Sequence, residues 1–393
     1  MKSPRSRRDT RAAILSGLWV SKGAFRPQLI DKTDLTPASI SRITAELKDE
    51  GLIEEERRPA PYQGGPSGFL TLSKNNSVAA FELSSGHLHS AVGSLDGELR
   101  YAERIALPDG ASSTQINTAL TMSIAHMAQW ISAHSHQPMQ IGISVPGYHP
   151  GQERNPIIAF NPLSVERCLA DTFAGTPVVI ANSMVARALA YSLHKRGPKG
   201  GASLLFVYAG HGIGAAYMPS SPDAGDIHAG DIEPCEIGHM IMEQNSVVCR
   251  CGHHGCLEPL ASSVAVAKIL GVSESELIEL GDDWANTLPI SDEARSDIGL
   301  CLSRLGTAIG NALNIRRLHR VVLTGWPAAL PKADRHILVQ AIDKALFGGA
   351  GGVDVSFIPS NLGREPTSGL ALAVHGFIRR GGERLIPLTK HAS

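Results

Sequence analysis

The chain has no apolar run of the roughly 18 to 20 residues that a membrane-crossing helix needs. It also has almost no net charge, −1 over 393 residues. The chain as a whole therefore offers no strong field to a polyanion. Cysteines are few: six in all, four of them between positions 235 and 256. That clustering argues against a disulfide framework and fits metal binding in a reducing compartment. Basic residues precede Ala12-Ala-Ile-Leu-Ser-Gly-Leu-Trp-Val20 in the manner of a short export signal. No small-residue cleavage site follows, and the run continues into a helix-turn-helix pattern, so the expected location is the cytoplasm.

The length suits two or three domains, and the composition (43% apolar, 19% charged) is that of a soluble globular protein. The charge is unevenly spread. Residues 1–76 hold 13 Lys/Arg against 9 Asp/Glu, or +4, which leaves 23 against 28, or −5, for the rest. A positive end on an acidic body implies a polyanionic partner for that end.

Within that end, Arg8 to Ser21 reads as a helix with Ile14, Leu15, Leu18 and Trp19 on one face. Residues 26–32 read as a second, short helix, and Asp34-Leu35 as a turn. Thr36 is a good N-cap for a third helix, with Pro37 at its first position and Gly51 at its end. Leu52–Glu56 and Phe69–Leu72 read as strands joined by a Pro/Gly-rich loop. Three helices and a β-ribbon make a winged helix-turn-helix over residues 1–76, whose third helix enters the major groove. Its outward residues, Ser39, Ser41 and Arg42, with Thr36 at its start, are the expected DNA contacts. Arg can grip guanine through two bonds, and Ser can bond a base or a phosphate. Gln28 is an expected phosphate contact, and Arg57 and Arg58 open the wing.

Further on, Cys249, Cys251 and Cys256 lie within eight residues, and His239 sits ten before the first. Thiolate and imidazole are the ligands Zn²⁺ prefers, and four of them close a tetrahedral structural site. His239, Cys249, Cys251 and Cys256 form the expected set. His253 and His254 are rivals whose closeness to the cysteines would strain the loop.

Glu236-Ile-Gly-His239 followed by Cys249-Arg-Cys251-Gly-His-His-Gly-Cys256-Leu-Glu258 resembles the signature of the ROK family (repressors, open reading frames, kinases). The resemblance runs from about residue 77 to the end. It implies a two-lobed, actin-like (ribonuclease H-like) body, with lobe one over about 77–183 plus the C-terminal helix and lobe two over about 184–366. The strand and helix pattern agrees. Val78–Leu83, Leu88–Gly93 and Leu99–Ala106 read as strands, Ser113–His134 as a helix, and Gln140–Val145 and Thr176–Ile180 as further strands. Met184–His194, Ser291–Arg317, Lys332–Phe347 and Thr367–Arg379 read as helices. Ala202–Tyr208, Arg320–Thr324 and Val353–Ile358 read as strands. The resemblance also implies a structural zinc and a sugar pocket lined by Gly147, Asn161, Asn182, Glu236, His239 and Glu258. His239 would serve both, one ring nitrogen on the metal and the other toward the sugar.

The chain departs from the family's kinases at their working positions. The Asp that takes the proton from the sugar hydroxyl is Ser183, which has no useful basicity near pH 7. The first phosphate loop, Asp-x-Gly-Gly-Thr, is matched here by Glu82-Leu-Ser84-Ser85-Gly86-His87, in which both glycines are replaced by Ser and the Thr by His87. The second loop carries His211 in place of Thr, and Trp326 replaces a glycine where adenosine would sit and is expected to crowd the base. The N-terminal module resembles that of ROK repressors, although Gly64-Gly65-Pro66 lacks their wing arginine. The expected protein is a sugar- or sugar-phosphate-responsive regulator that binds a double-stranded operator as a homodimer or homotetramer, with no catalytic residues. Sugar closing the cleft between lobes would change the spacing of two winged helices. The alternatives are an ATP-dependent sugar kinase with a fused DNA-binding domain, and a scaffold that holds a protein partner.

Overall fold

A computed structural model describes residues 6–383 apart from 34, 60–66, 85, 109, 152–154, 156, 195–201, 221–228, 349–351 and 360–366. Two units emerge. The first comprises Met1–Lys199, Pro222–Ala229 and Glu365–Ser393, and the second Gly200–Ser221 and Gly230–Arg364.

The first unit begins with α1 (Arg7–Ser21), entered through a capping box in which Ser6 and Asp9 satisfy each other's amides. Strand β1 (Ala24–Phe25) and helix α2 (Arg26–Thr33) follow. Helix α3 (Pro37–Asp49) starts at Thr36, whose side chain accepts from the Ser39 amide. Ile14, Leu15, Leu18, Leu29, Ile40, Ile43 and Leu47 are buried together under these helices, with Trp19 beside them. Strands β2 (Ile53–Arg58) and β3 (Ser67–Leu72) pair antiparallel, from Ile53 opposite Leu72 to Arg58 opposite Ser67. After Ile53, β2 is exposed at every position, as a projecting ribbon would be. The short β1 pairs with β3, giving the order β1-β3-β2. It was not legible in the sequence. Asp34 and Gly64-Gly65-Pro66 fall outside the described residues.

Next come β4 (Ser77–Leu83), β5 (His87–Ser94), β6 (Leu99–Ala106), α4 (Ser113–His134), β7 (Pro138–Val145), α5 (Pro162–Thr172), β8 (Val178–Asn182) and α6 (Ser183–His194). The sheet order is β6-β5-β4-β7-β8, a three-stranded antiparallel meander extended by two parallel strands. Ile116, Leu120, Ile124, Met127 and Ile131 of α4 pack on Phe81, Val92, Ile141 and Ile143 of the sheet. Fully burying each such side chain is worth about 1.5–3 kcal/mol. Trp130, half-buried against this core, stacks on His134 with centroids 4.4 Å apart.

The second unit repeats the pattern. Its elements are β9 (Leu204–Ala209), β10 (Ile213–Met218), β11 (Glu233–Cys235), α7 (Leu257–Ala261), α8 (Ser263–Leu270), α9 (Glu274–Leu280), α10 (Trp284–Thr287), α11 (Asp292–Arg316), β12 (Arg320–Gly325), α12 (Lys332–Ala345) and β13 (Asp354–Phe357). The order β11-β10-β9-β12-β13 again joins an antiparallel meander to two parallel strands. Such a repeat is what an actin-like body requires. Helices α11 and α12 lie backbone to backbone, since a Cβ at Gly306 would stand 2.5 Å from the Leu338 carbonyl oxygen. Trp284 and Trp326 are buried in the core of this unit. The Trp326 indole donates to the Ala261 carbonyl at 2.9 Å. The expectation that Trp326 crowds a nucleotide is thereby corrected: its ring faces the core.

The chain closes with α13 (Thr367–Arg379), which returns to the first unit. It lies tight on β7, where a Cβ at Gly142 would stand 2.5 Å from the Gly369 carbonyl oxygen.

Candidate functional site

The metal-type ligands converge. One donor atom from each of His239, Cys249, Cys251 and Cys256 lies within 4.8 Å of the others. Cys249 Sγ is 3.5 Å from His239 Nδ1, and Cys251 Sγ is 3.7 Å from Cys256 Sγ. A tetrahedron with metal–sulfur bonds near 2.3 Å and metal–nitrogen bonds near 2.1 Å has edges of about 3.8 Å (S–S) and about 3.6 Å (S–N). The four residues therefore fit one ion. His254 turns its Nδ1 toward the Ser246 carbonyl at 3.2 Å. His253 sits 3.6 Å from Cys251 Sγ and stands outside the four-residue group. Thiols packed this closely cannot all ionise without a cation. Burial pushes Cys249 up to about 12. Burial works to raise Cys251 as well, but hydrogen bonds from His253, Cys249 and Cys256 hold it at about 6.

The loop is built by its own backbone. Cys249 N donates to the His253 carbonyl, Gly255 N to the Val247 carbonyl, and Met242 N to the Gly255 carbonyl. Gly255 has φ +73°, and a Cβ there would stand 1.5 Å from the Glu243 carbonyl oxygen. Only glycine fits.

Glu236, exposed, opens the 3-10 turn Ile237–His239, and Glu258 lies in the first turn of α7. Ile213 ties the two segments together. Its amide donates to Glu258 Oε2 at 3.0 Å, and its carbonyl oxygen lies 2.1 Å from where a Gly238 Cβ would be. The carboxylate of Glu258 is thus fixed on the same frame as the metal ligands. His239 turns Nδ1 to Cys249, which leaves Nε2 on the opposite edge of the ring.

In the first unit, Gly147 and Asn182 sit at the carboxyl ends of the parallel strands β7 and β8, the end at which open α/β sheets bind ligands. Gly147 takes φ +64°, wedged against Ile157 and Asn155. Asn155 holds this turn by donating to the Pro146 carbonyl and accepting from the Ile157 and Ile158 amides. Asn182 donates to the Tyr148 carbonyl at 3.3 Å and accepts from the Met184 amide at 2.9 Å. Asn161 is exposed beside Phe160, whose ring meets that of Tyr148 edge to face. Asn155 and Tyr148 were not singled out from the sequence, because nothing local marks a residue whose work is to hold a neighbour.

The kinase-type positions are otherwise engaged. Ser183 is the first residue of α6 and brings no carboxylate. Glu82, buried, accepts from Ser368 Oγ at 2.7 Å and from the Gly369 amide, capping α13. His211 Nδ1 meets Glu274 Oε2 at 2.6 Å, and Glu274 Oε1 accepts from Ser263 Oγ at 2.5 Å. Burial opposes the charge on Glu274, but these partners hold its carboxyl below the usual range. A pair 63 residues apart leaves no trace in local sequence. Ser85 lies outside the described residues.

Of the expected DNA contacts, Ser41 and Arg42 are exposed on α3 and Ser39 is half-buried. Thr36 spends its hydroxyl on the cap, bonding Ser39 twice. Arg42 pairs with Glu46 at 2.8 Å. Arg57 and Arg58 are exposed at the end of β2. Arg58 pairs with Glu56 and covers the Phe69 ring. Gln28, half-buried, accepts from the Phe25 amide through Oε1.

The sequence was compared with known proteins. The chain is 27% identical over 248 residues to the DNA-binding transcriptional repressor Mlc of Escherichia coli strain K12, covering 60% of this chain and 58% of that one. It is 24% identical over 334 residues to the xylose repressor of Caldicellulosiruptor bescii, covering 79% and 81%. A solved ROK family transcriptional regulator, a homologue of E. coli Mlc, superposes with TM-score 0.66 at 23% identity, over 95% of this chain and 98% of that one. That likeness carries the fold across both units. The ROK family profile matches residues 78–375, so the chain belongs to the ROK family.

Proposed function

We propose that this chain is a DNA-binding transcriptional regulator, a repressor of carbohydrate-utilisation genes, whose kinase-like body binds a sugar or sugar phosphate and transfers no phosphoryl group. The observation that carries this reading is the state of the kinase positions. The proton acceptor is replaced by Ser183, Glu82 is committed to capping α13, and His211 is locked to Glu274. Losing a general base alone costs about 10²- to 10⁴-fold in rate.

The effector's ligands would be drawn from Gly147, Asn161, Asn182, Glu236, His239 and Glu258. Carboxylates, an imidazole and amides are the groups that satisfy several sugar hydroxyls at once. His239, Cys249, Cys251 and Cys256 would hold Zn²⁺, the ion that three thiolates and an imidazole favour, and it would serve to fix the loop between Glu236 and Glu258. The N-terminal module reads DNA through Ser39, Ser41 and Arg42 on α3, with Thr36 at the start of that helix. Gln28 would contact a phosphate, and Arg57 and Arg58 on the wing would reach the minor groove or the backbone. A homodimer or homotetramer would bring two modules to a near-palindromic operator.

Fluorescence anisotropy of a labelled duplex, taken from upstream of this protein's own gene, tests the reading. Protein is titrated at two salt concentrations, then sugars and sugar phosphates are added. The expected result is salt-dependent binding weakened 5- to 150-fold by one of them, the usual range of allosteric coupling. Sugar-dependent ADP release above trace in a coupled assay would refute it.

A further inference from the structure

The seven basic residues among the first 26 read as an electrostatic lure for DNA, yet Arg11 is not available to it. Arg11 is 1% exposed. Its Nε donates to the Gly381 carbonyl at 2.6 Å, and Nη1 and Nη2 donate to Glu50 Oε1 and Oε2 at 2.7 and 2.6 Å. One planar guanidinium therefore joins three elements: α1, the residue that follows α3, and the turn that follows α13. Around it the joint is shaped to fit. Arg8 Nε donates to the Arg379 carbonyl at 3.0 Å. Gly381 and Gly382 take φ +67° and +75°. A Cβ on Gly381 would stand 3.0 Å from the Arg8 carbonyl oxygen, and one on Gly382 would stand 2.8 Å from Leu52 Cδ1 and 3.1 Å from Leu15 Cδ1. At the other end of α1, Lys22 Nζ donates to the Asp96 carbonyl in the β5–β6 turn at 3.0 Å.

The far end of α13 is fixed too. Its first turn receives the buried Glu82 carboxylate from β4 through Ser368 and Gly369. From β4 to α3 the path is thus continuous: Glu82, the length of α13, Gly381, Arg11, Glu50. We propose that Arg11 is the positioning residue that fixes the DNA-reading helix α3 on the body of the first unit, through the end of α13, and that it contacts no phosphate. The module is therefore clamped to the body at its base. The proposal rests on the reading above only for what α3 does once it is placed.

The guanidinium fork is essential to this role. It meets both Glu50 oxygens while its third nitrogen reaches Gly381, whereas a lysine is a point charge that cannot span the same set. The test is the distance distribution between nitroxides carried on non-canonical residues at Ala45 on α3 and Met122 on α4, by pulsed electron spin resonance in the full-length protein. The wild type should give one narrow peak. R11M and R11K should both lose it for a broad distribution, at unchanged zinc content. An unchanged width in R11M, or full rescue by R11K, overturns the proposal. Should R11M fail to fold, E50Q removes the charge from the exposed side of the joint and should also broaden the peak; an unchanged width there overturns the proposal as well. A second arm measures the salt dependence of binding to a duplex of random sequence. R11M should keep the slope of log Kd against log salt. A slope smaller by about one would mean that Arg11 touches a phosphate, contrary to the proposal. The distance measurement uses no DNA and no sugar, so it can fail while the regulator reading stands, and the reverse.

Discussion

Gly255 and Gly252 both take left-handed backbone in the metal loop, at φ +73° and +91°, but their surroundings differ. Nothing lies within 4 Å of a Cβ built on Gly252, whereas one on Gly255 would stand 1.5 Å from the Glu243 carbonyl oxygen. Alanine at 252 therefore pays only the left-handed strain, about 1–2 kcal/mol. Alanine at 255 must also push the 242–247 segment away. That breaks the bonds from Met242 N and Gly255 N, at about 1 kcal/mol each. The sum is about 3–4 kcal/mol. If the metal-free loop is already open, the whole loss falls on the metal-bound form. With 1.4 kcal/mol per factor of ten, zinc affinity should fall about 5- to 30-fold in G252A and about 140- to 700-fold in G255A. Competition against a fluorescent chelator measures both, with a melting curve of each zinc-loaded protein alongside. Equal losses in the two variants, or wild-type affinity in G255A, would refute the steric account of this loop.

Other outcomes follow from the same geometry. Glu55 is held down to about 2 by hydrogen bonds from Arg26 and Lys48. A depressed carboxyl stabilises the fold fully above its unfolded value near 4.3 and loses that contribution as pH falls toward 2. The melting temperature should therefore drop across that window, and E55Q should flatten the drop; an identical pH profile in E55Q would count against the assignment. S183D should give no sugar-dependent ADP release in a coupled assay, because it restores the base and leaves Glu82 and His211 engaged. Turnover in S183D would show that one substitution separates regulator from kinase. R57A should weaken binding to all duplexes alike and lower the salt slope by about one. R42A should cost about 1–3 kcal/mol at one base position and relax preference there. A uniform loss in R42A would move that residue from base to backbone.

Much of this was legible because the signals are local. Thr36-Pro37 fixed the start of α3, and Ser291 with Asp292 and Glu293 fixed the start of α11. The Cys/His spacing singled out four residues that the fold brings within reach of one ion, since a loop that short leaves few ways to surround one. What was not legible depends on distant partners. Strand β1 has two residues and exists only because Leu70 and Phe69 pair with it. The short helices α7 to α10 lack the length for a periodic apolar stripe. A charge count treated Arg11 like Arg7, and only the fold shows the first buried and the second on the surface with Glu46. Trp326 was read from an aligned position as facing a nucleotide, and tertiary packing turned it inward.

The four tryptophans give the protein its own set of optical probes. Trp19 is buried in α1, Trp130 is half-buried against the core of the first unit, and Trp284 and Trp326 lie deep in the second unit, where the Trp284 indole donates to the Trp326 carbonyl. The deep pair should emit at short wavelength and resist quenching by acrylamide. Trp130, half-buried and stacked on His134, should be quenched more readily than the deep pair. Emission colour and quencher access can therefore resolve the separate bodies of the untagged chain as it melts.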